Sequence, residues 1–243
     1  MIEMPKKIIM TDKEKALRAA LPRAVRPRLA ATLVLICGEK DNPRILMGRR
    51  AARHDFMPSV YVFPGGRVDR GDSYMPYMGE LSPRTERILE AAYSPRRARA
   101  IVLTAIRETF EETSLLLGQP YTRRRSRIKH PSWQSFQENG IWPDISDIEV
   151  FGRAVTPPHR HKRFDTWFFV KHLDSQTLPD ISDSSELEDV SWFTFDEIEK
   201  LDKQRATVMM LQVLQNYLAQ PRPPDTIHYS RMIHHQYGYT QFP

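Results

Sequence analysis

Of 243 residues, 40% are hydrophobic and 27% charged, a balance that buries a core and excludes a disordered chain. The single cysteine, Cys37, excludes an intrachain disulfide, fits a reducing compartment and is expected in the core. A net charge of +6 favours anionic partners, with a merely solvated basic surface as the competing reading.

Residues 1–27 read as an N-terminal extension with a short helix over residues 12–21, broken by Pro22 and Pro27. No long apolar segment opens the chain, so no signal peptide is expected and a cytoplasmic location follows. RLAATLVLIC (28–37) reads as a buried strand, far short of the roughly 20 apolar residues that span a bilayer, so no membrane partner is expected. After the turn Asp41-Asn42-Pro43, residues 44–49 form a second strand and complete a hairpin. A third strand over residues 60–63 stops at Pro64-Gly65-Gly66. Residues 82–93 show a helical pattern with Ser82 at the N-cap.

The best helix is predicted over residues 98–117, with Ile101, Ala105, Phe110 and Leu117 facing the core. Residues 119–147 read as loop, including the basic tract TRRRSRIKH at 122–130. Strands are predicted near 150–155, 165–170 and 189–193, and helices after Thr194 and over 206–218. The mixture lacks regular alternation of strand and helix, which points to an α+β fold with a mixed sheet. The main domain is set at 28–219, with 220–243 as a Pro-rich, then aromatic and His-rich tail. Trp133, Trp142 and Trp167 are expected in the core.

RETFEETSLLLG (107–118) puts Glu108 beside both Glu111 and Glu112 on one helix face. Like charges at this spacing cost roughly 0.2–0.5 kcal/mol each, which an ordinary acidic surface helix absorbs. FPGGRVDRGD (63–72) adds paired glycines, whose backbone approaches a ligand closely, and the carboxylates Asp69 and Asp72.

Together, Gly66, five residues, Asp72 and then Arg107-Glu108-x-x-Glu111-Glu112 resemble the Nudix box. The family pattern is Gly, five residues, Glu, seven residues, then Arg-Glu-aliphatic-x-Glu-Glu-x-Gly-aliphatic. Here Asp72 replaces Glu, Thr109 replaces the aliphatic and Ser114 replaces the Gly. Thirty-four residues stand where the pattern has seven, an insertion of 27 that falls at about 73–97. Lengthening a loop costs only about 0.6 kcal/mol per doubling, so the insertion is tolerable. A coenzyme A diphosphatase branch of the family has a similarly interrupted box, and 105–112, 164–169 and 45–49 match its other features.

The resemblance implies a Nudix-type α/β/α sandwich and hydrolysis of a nucleoside diphosphate linked to another group. Coenzyme A or acyl-coenzyme A is the favoured substrate. ADP-ribose, nucleotide sugars, dinucleotides and RNA 5′ ends are the alternatives, and a non-catalytic sensor is a third reading. The cofactor would be Mg²⁺ or Mn²⁺, since hard cations prefer oxygen ligands. Glu108, Glu111, Glu112 and the Gly66 carbonyl would hold it, with Arg107 orienting a glutamate. The general base is expected in the box or on a late loop, where Glu186 leads and Glu188 follows. Gly65, Arg49 and Arg50 are the expected substrate contacts, and the basic runs 123–130 and 159–163 are open to phosphate or RNA. The insertion is expected to border the substrate. A homodimer stays open.

Overall fold

The computed structural model describes residues 7–9, 11–20, 25–39, 41–52, 59–121, 128–173, 178–233 and 236–243. The basic tract at 122–127, Pro22 and His234-His235 lie outside them. The chain begins with β1 (Lys7–Ile9) and α1 (Asp12–Ala20). β2 (Arg28–Cys37) then runs through the middle of the molecule. Ala31, Leu33, Leu35 and Cys37 join one core and Val34 and Ile36 the other, which is why the run is apolar at successive positions. β3 (Arg44–Arg50) returns antiparallel, with Ile45 opposite Ile36. β4 (Tyr61–Val62) pairs with β3, and β5 (Gly65–Arg67) pairs antiparallel with β2.

A 3-10 turn (Gly71–Tyr74) leads to α2 (Pro83–Glu90) and α3 (Pro95–Thr113). Both helices start with proline, whose missing N–H would be unpaired there anyway. Ser82 caps α2 by accepting from the Thr85 N–H. β6 (Gly118–Pro120), α4 (Pro131–Glu138) and β7 (Ile141–Pro143) follow. The remaining elements are β8 (Glu149–Val155), β9 (Phe164–His172), β10 (Leu187–Phe193), α5 (Phe195–Lys200), α6 (Arg205–Leu218), β11 (Ile227–Ile233) and β12 (Gln236–Phe242). Thr194 and Glu197 close a reciprocal capping box at the start of α5.

Ten strands form one mixed sheet in the order β1-β12-β11-β8-β9-β2-β3-β10, with β5 and β4 attached to β2 and β3. The β2–β9 and β11–β8 pairs are parallel. One face packs on α2, α3 and α4 through Leu33, Ile88, Ile101 and Phe136, the other on α5 and α6 through Val34, Ile198 and Leu214. This is the α/β/α sandwich with a mixed sheet that the sequence predicts. Cys37, Trp133 and Trp167 are buried in it, while Trp142 is half-buried and stacks on Tyr121 at 3.5 Å between centroids.

Three predicted features change, and the insertion takes a defined place. Residues 119–147 are not all loop, because Trp133 and Phe136, three apart, bury one face of α4. The C-terminal segment adds β11 and β12 to the main sheet. The Arg153 guanidinium lies 4.7 Å from the ring centroids of Trp167 and Tyr229 and 5.3 Å from that of Phe242, tying this hairpin to the sheet. α3 ends at Thr113 rather than 117, because Ser114 takes φ +61°. That left-handed conformation suits glycine, and serine holds it at a cost of roughly 1 kcal/mol. Finally, the insertion docks on β8: Arg84 bonds Glu149 and the Val150 carbonyl, and Thr85 bonds Glu149. No residue of 73–97 is among those that line the cleft beside the carboxylate helix.

Candidate active site

α3 is buried nearly all round between residues 100 and 107, so its polar residues there need internal partners. Thr109 bonds the Ala105 carbonyl one turn back, which explains how it fills an aliphatic place, and the single Thr104 hydroxyl proton is shared between the Ala100 carbonyl and Asp72. Asp72 is fully buried and accepts five hydrogen bonds. They come from the Asp69 N–H, the Thr104 hydroxyl, the Trp133 indole at 3.0 Å, and Arg107 at 2.8 and 3.1 Å. Asp72 is therefore an anchor for Arg107, not an open carboxylate. Glycine-loop geometry helps, because the Arg67 carbonyl accepts another Arg107 hydrogen bond.

Arg107 reaches outward from this anchor. Its Nη1 donates to Glu108 at 2.8 Å and to both oxygens of Glu111 at 3.0 Å. Glu111 also accepts from the Ser132 hydroxyl of α4. Glu112 is 3% exposed and accepts from the Gly65 N–H at 2.9 Å. The glycines are required by close approach. A side chain on Gly66 would collide with the Glu108 carboxylate at 2.4 Å, and one on Gly65 with Thr32 at 2.4 Å.

Burial pushes the Glu108 carboxyl up to about 7, with Arg107 opposing and Glu111 and Asp72 adding to the rise. Burial raises Glu112 well above the usual carboxylate range too, and the charges of Glu108 and Glu186 push the same way. The Gly65 N–H and Arg50 oppose that rise. The loop before β10 thus brings Glu186 within electrostatic reach of Glu112, although the two lie far apart along the chain.

A cleft of about 180 Å³ opens beside these groups. Arg50, Gly65, Gly66 and Thr32 line one part, and Phe164, Thr166, Phe168 and Thr207 another. Strand alternation makes the division on β9, since Asp165 pairs with Arg153 and Trp167 is buried in the core. Alternation also separates Arg49 from Arg50. Arg49 binds Asp189 at 2.7 Å and Glu188 at 3.2 Å and is absent from the cleft walls. Thr207 and the supporting pair Ser132 and Trp133 carry no local motif. For Trp133, the i, i+3 pairing with Phe136 was the available signal.

Among the described residues, no group of three or more His, Cys, Asp or Glu side chains stands as a ready-made metal cage. Glu111 is taken up by Arg107 and Ser132, and Glu112 is bonded to Gly65. The donor set nevertheless fits a hard divalent cation. It offers two crowded carboxylates, Glu108 and Glu112, against a glycine loop with no room for a side chain. Mg²⁺ takes one or two protein carboxylates and completes its shell with water and phosphate oxygens. No helix among the described residues is long and apolar enough to cross a membrane.

No protein-family model matches the chain. A provisionally named nudix hydrolase 7 of Caenorhabditis elegans is 25% identical over 68% of this chain and 50% of its own length. Acyl-coenzyme A diphosphatase NUDT19 of Gallus gallus is 27% identical over 70% of this chain and 62% of its own. The chain thus spans only about half to three fifths of these curated relatives. The crystal structure of a NUDIX hydrolase from Alicyclobacillus acidocaldarius superposes with a TM-score of 0.59 at 24% identity, covering 82% of this chain and 99% of that one. The chain has the Nudix fold, and its sequence resembles the Nudix hydrolases, an acyl-coenzyme A diphosphatase among them.

Proposed function

We propose that the protein is a divalent-metal-dependent pyrophosphohydrolase of nucleoside diphosphate derivatives, with coenzyme A or acyl-coenzyme A as its substrate. One observation carries the chemistry. Glu108 and Glu112, two buried groups of like charge, meet the Gly65-Gly66 loop beside a cleft that Arg50 also lines. The interrupted Nudix box and the relative named for acyl-coenzyme A support the substrate class.

Glu108 and Glu112, with the Gly66 carbonyl, would hold Mg²⁺ or Mn²⁺, which polarises phosphoryl oxygens and lowers the pKa of water when bound. Arg107 keeps Glu108 and Glu111 in place, and Asp72 keeps Arg107 in place. Arg50 meets the charge that builds on the phosphoryl oxygens. Glu186, whose charge reaches Glu112, takes the proton of the attacking water. Gly65, lacking a side chain, lets the diphosphate lie against the loop.

The test is product detection by mass from coenzyme A, acyl-coenzyme A, ADP-ribose, nucleotide sugars and dinucleoside polyphosphates, with Mg²⁺, with Mn²⁺ and with chelator. Cleavage at the pyrophosphate of the coenzymes, only with metal, is expected. Glu112→Gln should lower kcat by about 10²–10³, the scale of losing one electrostatic group. Binding without turnover of any compound would replace the enzyme by a sensor.

A further inference from the structure

A second chamber of about 200 Å³ shares the walls Thr166, Phe168 and Ala206 with the cleft. Its other walls come from elements that flank the central strands. They include Glu14 of α1, Arg160 of the β8–β9 loop, Arg205 at the start of α6, Ser230 of β11 and Tyr239 of β12. Its chemistry is that of an anion site with an apolar side.

Arg160 lines the chamber, is exposed and makes no ion pair among the described residues. The charge of Arg205 reaches both Glu14 and Tyr239. Gln204, at the N-cap of α6, gives no side-chain cap, which leaves first-turn N–H groups and the positive end of a 14-residue helix at the wall. Ser230 is 5% exposed, and its hydroxyl makes no hydrogen bond among the described residues. Glu14 opposes these groups, but one of its oxygens is engaged by the Thr11 N–H and hydroxyl. Met209, Phe168 and Tyr239 supply apolar and aromatic surface.

We propose that this chamber receives the nucleoside end of the substrate, and that Arg160 and Arg205 select a phosphate monoester carried there. The proposal rests on the pyrophosphohydrolase reading, in which the diphosphate lies at Gly65, Gly66 and Arg50. The shared wall then continues from the diphosphate to the nucleoside. A guanidinium is suited to a phosphate monoester because its fork of donors binds two oxygens at once.

Calorimetric titration of the whole protein with adenosine 3′,5′-bisphosphate and with 5′-AMP, without divalent metal, reads the chamber apart from turnover. The bisphosphate is expected to bind about tenfold more tightly, the weight of one charge-assisted hydrogen bond. Arg160→Gln and Arg205→Gln should each remove most of that margin, and Arg160→Lys should keep part of it. Equal affinity in the wild type, or a margin untouched by both Gln variants, overturns the proposal. The ratio of kcat/KM for coenzyme A over dephospho-coenzyme A gives a second readout and should also fall about tenfold in Arg160→Gln. A protein that cleaves both coenzymes equally keeps its function and loses this selectivity. One that binds the bisphosphate tightly through the two arginines but cleaves neither coenzyme keeps the chamber and loses the proposed function.

Discussion

Asp72 and Glu112 are both buried carboxylates in contact with the environment of α3, yet they are stabilised in opposite ways. Asp72 accepts five hydrogen bonds, two of them from Arg107. Glu112 has the Gly65 N–H and the distant charge of Arg50, set against burial and the negative charges of Glu108 and Glu186. The first arrangement is complete and makes a rigid support. The second leaves acceptor capacity and like-charge strain that an added cation would relieve. A buried charge therefore marks a scaffold or a working site according to whether its partners are already present.

The comparison breaks most severely at its satisfied end. Asp72→Ala leaves the buried Arg107 without its anchor and should cost about 3–5 kcal/mol. At about 2–4 °C per kcal/mol for a chain of this size, the thermal midpoint should fall by roughly 10 °C. A fall of only a degree or two would show that the network is not a support.

His228 tests the same rule with a base. It is half-buried beside Tyr239, its buried Nε2 has no partner among the described residues, and desolvation holds its pKa down at about 4. Between the ordinary value of about 6.5 and that lower value, the unfolded chain takes up a proton that the folded chain refuses. Stability should thus decline as pH falls from about 6.5 to about 4, by at most about 3 kcal/mol. His159 and His172, also lowered by burial, act in the same direction. Urea midpoints across that range should show the decline, and His228→Phe should flatten it.

The smallest effect sharpens the strained end. Without metal, Glu112→Gln removes an acid whose charged form both burial and Glu108 disfavour and should raise stability slightly. Millimolar Mg²⁺ should raise the thermal midpoint of the wild type and leave the variant unmoved. Destabilisation by the variant would mean that Glu112 is held by contacts other than those described.

The amino-acid sequence determined the local features by itself. β2 was legible at its observed limits because its run is apolar on both faces. The helix carrying Glu108, Glu111 and Glu112, the glycine loop and the capped start of α5 were legible because turn and cap chemistry acts over a few residues. Tertiary structure alone decided the rest. The box spacing marks Asp72 as standing for the family's Glu, but its role as an anchor emerges only where Asp69, Thr104, Arg107 and Trp133 converge on it. β11 lies parallel to β8, so His228 meets Gly152, and no local pattern encodes a pairing between segments so far apart. Arg49 and Arg50 are chemically alike and adjacent, but the pleat sends one to Asp189 and the other to the cleft. Propensity and capping depend on neighbours in sequence. Satisfaction of buried charge and the shared wall of two chambers depend on neighbours in space.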